Sequence, residues 1–191
     1  MPALILASTS RYRQELLTRL RLPFEAVAPG VDETRLPGEA PAAMAERLAL
    51  AKARAVAALR PGAIVIGSDQ VADLAGYAIG KPGHHDAAVA QLRRMSGRMV
   101  VFQTAVAIVA PGLAAIERAE VRVRFRELDD AAIETYLRAD TPYDCAGSAK
   151  VESLGITLLE AVESDDPTAL IGLPLIRTCA LLRRAGLEPL A

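Results

Sequence analysis

The sequence predicts an α/β fold built on a mixed sheet that is either curved or divided between two lobes. Short, wholly apolar runs alternate with stretches in which apolar residues recur at helical spacing, as expected when helices cover both faces of a sheet. Two longer runs on either side of Pro111-Gly112 are typical of antiparallel strands. No repeat, low-complexity segment or linker interrupts this pattern, so residues 1–191 are predicted to form a single domain.

The first half of the chain predicts three strands, two helices and a hairpin. Pro41 suits the first turn of a helix, where its missing N–H group is tolerated. The third strand is predicted to end where the polar segment Gly67-Ser68-Asp69-Gln70 begins. The predicted strands cover residues 3–7, 24–28 and 63–66, the helices cover residues 11–21 and 41–60, and the hairpin covers residues 71–79.

The second half predicts three helices and three strands. Gly97 and Gly186 follow helical stretches at the position where glycine commonly ends a helix. The predicted helices cover residues 85–95, 129–138 and 174–185, the two long antiparallel strands cover residues 100–109 and 116–125, and a last strand covers residues 156–160.

Composition limits the functions that the chain is able to have. Its net charge of −1 argues against a nucleic-acid surface, which carries a basic excess, so any positive cluster is expected to serve a small anion. No apolar run approaches the ~20 residues that span a membrane, and no secretory signal is recognisable, so a cytoplasmic location is expected. Cys145 and Cys179 are far apart with no histidine nearby, which favours free thiols over a disulfide or zinc site.

Lys52 is the most informative polar residue in an apolar setting. It falls in the same helical stripe as Met44, Leu48 and Val56. A lysine at such a position snorkels to solvent, pairs with an acid or faces a cleft. The sequence leaves these alternatives open.

Hydroxyl and guanidinium groups gather where the first strand gives way to the first helix. Ser8 and Ser10 precede the helix, and Arg11 and Arg13 stand in its first turn. A helix N-cap accounts for Ser10 by itself. It does not account for two cations in a first turn, where the helix dipole favours anions and the backbone N–H groups favour phosphate. A bound anion is therefore the alternative interpretation.

Acidic residues and a third cation are expected near the same place. Asp69 and Gln70 follow a buried strand, where α/β sheets bind ligands, and Lys81 follows the hairpin. Asp32 and Glu33 lie in a loop and either face solvent or join Asp69 in holding Mg²⁺, which prefers a few carboxylates together with phosphate oxygens and water.

Three common kinds of site are not indicated. His84-His85 has no third ligand at a useful spacing, and nothing places a histidine base beside Cys145. Neither a GxxxxGK[ST] loop nor a GxGxxG fingerprint is present, which argues against a P-loop enzyme and a Rossmann dehydrogenase.

Seven short motifs, taken together and in order, resemble the Maf-like nucleotide pyrophosphatases over nearly the whole chain. They are LILASTSRYRQELL, VDET, LALAKA, IGSDQV, GKP, the AGS segment followed by Glu152, and IGLPL. The resemblance implies two lobes around a central cleft, as in the Maf and inosine triphosphatase-like fold. It also implies hydrolysis of nucleoside triphosphates between the α and β phosphates with a divalent cation, Mg²⁺ or Mn²⁺.

Residue roles follow from the resemblance position by position. Asp69 matches the family's catalytic carboxylate, which accepts a proton from water, although a metal ligand with no proton role is an equal interpretation of the sequence. Glu33 matches a metal-associated acid. The residues that match the polar and cationic surroundings of the phosphates are Ser8, Arg13, Lys52 and Lys81.

Three positions sort the branches of this family, and here they hold Tyr12, Gln70 and Glu152. A branch that acts on dTTP and UTP carries arginine, threonine and glutamine there, whereas a branch that acts on 7-methyl-GTP carries tryptophan, glutamine and glutamate. The sequence therefore favours the 7-methyl-GTP branch. An aromatic ring suits a cationic methylated base, and Glu152 suits the N–H groups of guanine. The alternative for Tyr12 is a ring packed against its helix.

The sequence departs from the family's usual residues at some positions, and two rival functions remain open. Arg11 stands where the family usually has proline and Ser153 where it has glycine. The rival functions are a dTTP- or UTP-type pyrophosphatase and a non-catalytic binding role in septum formation. The resemblance also implies a homodimer, since members of the family often form dimers.

Overall fold

The computed structural model describes residues 2–191, which form a seven-stranded sheet and five α-helices. The strands are β1 Leu4–Leu6, β2 Glu25–Ala26, β3 Ile64–Leu74, β4 Tyr77–Ile79, β5 Met99–Ala110, β6 Leu113–Phe125 and β7 Leu159–Glu163. The helices are α1 Arg11–Thr18, α2 Pro41–Leu59, α3 His85–Met95, α4 Asp130–Asp140 and α5 Leu175–Arg184. No helix within residues 2–191 is long and apolar enough to cross a membrane.

The sheet is mixed, as the sequence predicts. Its strands run in the order β2-β1-β3-β5-β6-β7, and β4 pairs with β3 outside that path. β1 lies parallel to both β2 and β3, whereas the pairs β3–β5, β5–β6 and β6–β7 are antiparallel. β3 is therefore the strand where the parallel part of the sheet meets the antiparallel part.

Two predicted strand boundaries are wrong, and one of them bears on function. The segment from Gly67 to Gln70 does not end a strand, because β3 pairs with β5 without interruption from Val65 to Asp73. Asp69 and Gln70 consequently lie inside the sheet rather than beyond it. The last predicted strand is displaced as well: Leu154–Leu158 forms a short 3-10 helix, and β7 begins only at Leu159.

The side chains of β3 alternate between two differently covered faces. Odd-numbered residues such as Val65 and Val71 pack in a cluster with the small residues of α2. Even-numbered apolar residues join two further clusters on the other face: Ile64 and Ile66 pack with α1 and α5, and Leu74 packs with α3 and α4. Ser68 and Gln70 stand on this second face, between the two clusters.

Gly67 lets α2 lie directly against the sheet. A Cβ atom at this position would stand 2.2 Å from the carbonyl oxygen of Ala49 and 2.6 Å from the backbone nitrogen of Ala53. These distances are far inside van der Waals contact, so only glycine fits. The close approach brings Lys52, which lies between these two alanines in the sequence, onto the face of β3 that carries Asp69.

Candidate active site

A buried lysine joins two carboxylates at the centre of the cleft. Lys52 is only 4% exposed, and its Nζ lies 2.6 Å from Oδ1 of Asp69 and 2.7 Å from Oε1 of Glu33. Of the alternatives that the sequence leaves open for Lys52, snorkelling to solvent is therefore wrong. The ammonium group pairs with acids and borders a cavity that Arg13 also lines.

The two carboxylates differ in their affinity for protons. Asp69 is 6% exposed, and burial raises the pKa of its carboxyl above the usual range, an effect that the charges of Lys52 and Arg13 offset only in part. Burial acts in the same direction on Glu33, but the hydrogen bond and charge of Lys52, together with the charges of Lys81 and Arg13, outweigh it and leave the pKa of Glu33 lowered. Asp69 is thus the better proton acceptor, and Glu33 is the more firmly ionised group.

The serines and Arg13 organise the start of α1. The Ser10 hydroxyl is the N-cap and accepts a long hydrogen bond of 3.5 Å from the Arg13 backbone N–H, while the buried Ser8 hydroxyl accepts one of 3.1 Å from the Ser10 N–H. The Arg13 side chain is held from the far side of the cleft, because its Nε donates to the carbonyl of Gly172 at 2.9 Å.

Three neighbouring cavities share Arg13 and Lys81 in their walls. The largest, about 650 Å³, runs past Tyr12 and Glu152, and is called the base cavity below. A second, of about 420 Å³, contains Glu33, Lys52 and Asp69. The third, of about 280 Å³, reaches Ser8 and Ser10 and shares Glu33 and Lys52 with the second. The last two are called the phosphate cavities. Every residue that the resemblance assigns to the site lines at least one of these three cavities, whereas Asp32 lines none of them.

The base cavity presents the Tyr12 ring among charged side chains of both signs. Tyr12 is half-buried and lines this cavity, with Lys150 and Glu152 among the other residues of the wall. Glu152 is exposed at the rim, but the partial burial of its carboxyl in the cavity wall raises its pKa. Arg11, whose role the sequence left open, places its guanidinium 5.4 Å from the centre of the Tyr12 ring and forms an exposed ion pair with Glu15.

Cys145 also borders the base cavity but is poorly suited to act as a nucleophile. Burial raises the pKa of its thiol to about 12, and the nearby carboxylate of Asp144 acts in the same direction. A thiol with that pKa is almost wholly protonated near neutral pH, so it offers little reactive thiolate. The structure therefore agrees with the exclusion of a thiol active site.

Gln70 is engaged with the protein backbone. Its Nε2 donates to the carbonyls of Ala169 and Leu170, each at 2.9 Å, and lies 3.0 Å from the Thr104 hydroxyl. The segment Ala169–Gly172, called the wall turn below, contributes Leu170, Ile171 and Gly172 to the base cavity. Gln70 thus supports a wall of the base cavity, and its amide N–H groups are not free for a base.

Sequence reasoning missed three residues that hold the wall turn. The Ser68 hydroxyl is hydrogen-bonded to the carbonyl of Gly172 at 3.0 Å, and the Thr104 hydroxyl to that of Ala169 at 2.9 Å. Gly172 connects the wall turn to the phosphate cavities, because its carbonyl also accepts the hydrogen bond from Nε of Arg13. Ser68 and Gln70 occupy alternate positions of β3 and so lie on the same face, and that spacing was the signal available in the sequence.

Asp32 and the histidines lie outside the charged centre. Asp32 is exposed, and its Oδ1 accepts a hydrogen bond from the Thr34 N–H. His84 caps α3, and His85 contacts Tyr143 and Glu134. Across residues 2–191, no three histidine, cysteine, aspartate or glutamate side chains come close enough to hold a metal ion by themselves. Glu33 and Asp69 are the carboxylates available to a cation in the phosphate cavities.

Comparison with known proteins identifies a family, similar sequences and a solved structure with partial likeness. A family model described as Maf-like protein matches residues 3–185. A Polaromonas protein named 7-methyl-GTP pyrophosphatase is 65% identical over 185 residues, covering 96% of this chain and 84% of the relative. A protein of the same name from Albidiferax ferrireducens is 61% identical over 189 residues, covering 98% of this chain and 95% of the relative. The solved structure of a nucleoside-triphosphatase, or dITP/XTP pyrophosphatase, from Mycobacterium abscessus aligns with this chain at a TM-score of 0.47 and 16% identity. The alignment covers 96% of this chain and 95% of the solved chain.

Proposed function

The chain belongs to the family of Maf-like proteins, and on that premise we propose that it is a nucleoside triphosphate pyrophosphatase acting on 7-methyl-GTP. It would release 7-methyl-GMP and pyrophosphate and so remove a modified nucleotide from the pool. The observation that carries the proposal is the buried Asp69, paired with Lys52 and adjoining a cavity that offers both an aromatic ring and a carboxylate. The names of the closely similar relatives support the choice of substrate.

The phosphate cavities suit a triphosphate because cations converge on them. A triphosphate carries nearly four negative charges, and Arg13, Lys52 and Lys81 line the same space. The start of α1 adds backbone N–H groups beside Ser10, which favour an anion. Since Gly172 holds Arg13 in place, its guanidinium needs little reorganisation when the phosphates bind.

We assign the activation of water to Asp69. Lys52 engages its Oδ1, which leaves Oδ2 free of that ion pair, and burial makes the carboxylate more basic than an ordinary aspartate. The water gives its proton to Asp69 as its oxygen bonds to the α phosphorus. The bond from that phosphorus to the oxygen bridging the α and β phosphates breaks, and pyrophosphate leaves with the electron pair. Arg13 and Lys81 stabilise the charge that develops on it.

A divalent cation fits the chemistry of this donor set. Mg²⁺ is commonly held by one or two carboxylates together with substrate phosphates and water, and Glu33 and Asp69 supply two carboxylates beside the phosphate cavities. When bound, the cation would neutralise charge on the phosphate oxygens. Within the protein, both carboxylates form an ion pair with Lys52.

The base cavity suits a methylated guanine. Methylation at N7 makes the ring cationic, and a cation over an electron-rich aromatic such as Tyr12 gains about 0.5–2 kcal/mol. Glu152 can accept hydrogen bonds from guanine N1–H and N2–H₂ while complementing the positive charge. Ser153, where the family has glycine, donates to Asp140 at 2.7 Å and so ties the Glu152 segment to the end of α4.

A panel of triphosphates tests this proposal. Pyrophosphate release is measured for 7-methyl-GTP, GTP, dTTP and UTP at equal concentration with Mg²⁺ and with Mn²⁺. We expect 7-methyl-GTP to have the highest kcat/KM. Faster turnover of dTTP or UTP would move the protein to the other branch of the family. No pyrophosphate from any nucleotide would favour the non-catalytic role in septum formation.

A further inference from the structure

The two carboxylates assigned to the divalent cation already hold a cation of their own. The Nζ of Lys52 lies within 2.7 Å of an oxygen of Glu33 and an oxygen of Asp69 at once. An ammonium group at these distances occupies lone pairs on one oxygen of each carboxylate, and its positive charge repels a second cation from the same pair. A metal that binds both carboxylates has to share them with Lys52 or displace it.

Displacement is opposed by the way α2 packs. Lys52 is 4% exposed, and its neighbours on the helix, Leu48 and Val56, are buried as well. The contact of Gly67 with the α2 backbone leaves no room for the helix to approach β3 further. The ammonium group borders the phosphate cavities, but only 5% of the Lys52 side chain is exposed and the helix that carries it is fixed by packing, so it stays near the carboxylates.

The local charge also disfavours a metal in the nucleotide-free protein. Glu33 and Asp69 contribute two negative charges to the phosphate cavities, and Arg13, Arg35, Lys52 and Lys81 contribute four positive ones. A divalent cation entering alone therefore meets a surplus of positive charge. A bound triphosphate reverses that sign, because its nearly four negative charges exceed the surplus.

We propose that Lys52 is a tethered cation that keeps the Glu33 and Asp69 carboxylates closed to divalent metal until a nucleotide triphosphate supplies its phosphates. The metal then enters with the nucleotide or after it, and not before it. This inference rests on the proposed function, since it assigns an order of binding to the same site. It makes Lys52 a determinant of metal affinity as well as a phosphate contact.

The test is a titration of the full chain with Mn²⁺ in the absence of nucleotide, with free Mn²⁺ followed by electron paramagnetic resonance. The wild-type protein is expected to bind Mn²⁺ weakly. Lys52→Met keeps the length of the side chain and removes its charge, and it should tighten Mn²⁺ binding by about tenfold or more. Unchanged or weaker Mn²⁺ binding by this variant would overturn the proposal.

Three further variants distinguish competition between Lys52 and Mn²⁺ from other causes of tighter Mn²⁺ binding. Lys52→Gln repeats the test with a polar side chain in case Met does not fold, and circular dichroism checks both. Lys81→Met removes one positive charge from the same cavities without breaking an ion pair to either carboxylate. It should tighten Mn²⁺ binding much less, and an equal gain would show that net charge alone is responsible. Adding Glu33→Gln to Lys52→Met should abolish the gain, and a retained gain would place the metal elsewhere.

The outcomes also distinguish this inference from the proposed function. Pyrophosphate release by the wild-type protein together with unmoved Mn²⁺ affinity in both Lys52 variants would refute only the tethered cation. A gain in Mn²⁺ affinity without pyrophosphate release from any triphosphate would refute only the enzymatic assignment.

Discussion

The two ends of the cleft are built from different kinds of structure. At the phosphate end, Lys52 projects from the middle of α2 and Asp69 from the middle of β3, and both are almost fully buried. At the base end, Glu152 belongs to an irregular segment and is exposed, and Tyr12 is half-buried in the first turn of α1. The wall turn beside them has no strand partner and depends on side-chain hydrogen bonds.

This contrast separates the reaction from the choice of substrate. Lys52 and Asp69, which meet the reacting atoms within fractions of an ångström, stand on elements fixed by packing, whereas Glu152 stands on an irregular segment of the kind that tolerates sequence change. A change at the phosphate end should therefore reduce turnover of every nucleotide. A change at the base end should alter which nucleotide is preferred.

The largest effect is expected from Asp69→Asn, which removes the proton acceptor but retains the shape of the side chain. Turnover of every nucleotide should fall by about 10²–10⁴-fold, the usual contribution of general base catalysis. Pyrophosphate release measures the loss, and circular dichroism checks the fold. Retention of full activity in this variant would remove Asp69 from its proposed role.

Gly67→Ala should disrupt the packing of α2 on β3 that supports the phosphate end. The added methyl group would collide with the backbone of α2 at Ala49 and Ala53, so overpacking should lower the free energy of unfolding by about 1–3 kcal/mol or more. It should also push Lys52 away from Asp69. Denaturant unfolding measures the first effect and pyrophosphate release the second.

Gly80→Ala is the matched control for this substitution. Nothing lies within 4 Å of a Cβ atom built at Gly80, so this variant should unfold like the wild type. Equal stability of the two variants would contradict the close approach at Gly67.

Gln70→Leu should damage the connection between the two ends. It leaves the carbonyls of Ala169 and Leu170 without the amide that binds them, at a cost of about 1–3 kcal/mol for unsatisfied buried groups. The preference for 7-methyl-GTP over GTP should decrease as the wall turn loosens. Thermal or denaturant unfolding and the ratio of kcat/KM values measure the two effects.

Gln14→Leu offers a comparison within α1, because the Gln14 side chain makes no hydrogen bond to residues 2–191. Its stability and base preference should remain those of the wild type. If Gln70→Leu changed base preference without any loss of stability, direct contact between Gln70 and the base would be the better account.

The smallest effect is expected at the base end. Tyr12→Ala and Glu152→Gln should each weaken discrimination between 7-methyl-GTP and GTP by up to about tenfold, the range of a cation–aromatic or charge-assisted contact. Turnover of GTP should change little, because neither side chain touches the phosphate cavities. Tyr12→Phe preserves the ring and should preserve the discrimination. Unaltered ratios in both variants would exclude the clamp of Tyr12 and Glu152.

Sequence patterns predicted the chemistry of the phosphate end better than its architecture. The stripe of α2 identified Lys52 as anomalous, and the structure shows its acidic partners. The same polar residues misled the strand prediction, since Ser68, Asp69 and Gln70 look like a strand terminus when only local composition is considered. Their burial is possible because Lys52, the wall turn and Thr104 satisfy them, and such long-range partners leave no local signature.

The base end was predictable only in part. Tyr12 and Glu152 were found from their positions in the motifs, but the contacts of Gln70 with Ala169 and Leu170 join residues about a hundred positions apart. Arg11 could not be placed, because its proximity to the Tyr12 ring depends on rotamers. The single domain, the cytoplasmic location and the homodimer stay predictions.

The alternation of side chains along β3 has a consequence for how the chain folds. A slip of one residue against β5 would turn Asp69 towards the wall turn and Ser68 towards α2, so both faces would lose their partners together. The same slip would carry Gly67 away from Ala49 and put a side chain into a space that admits none. A misregistered chain therefore cannot pack, and errors that would disable the active site are rejected during folding.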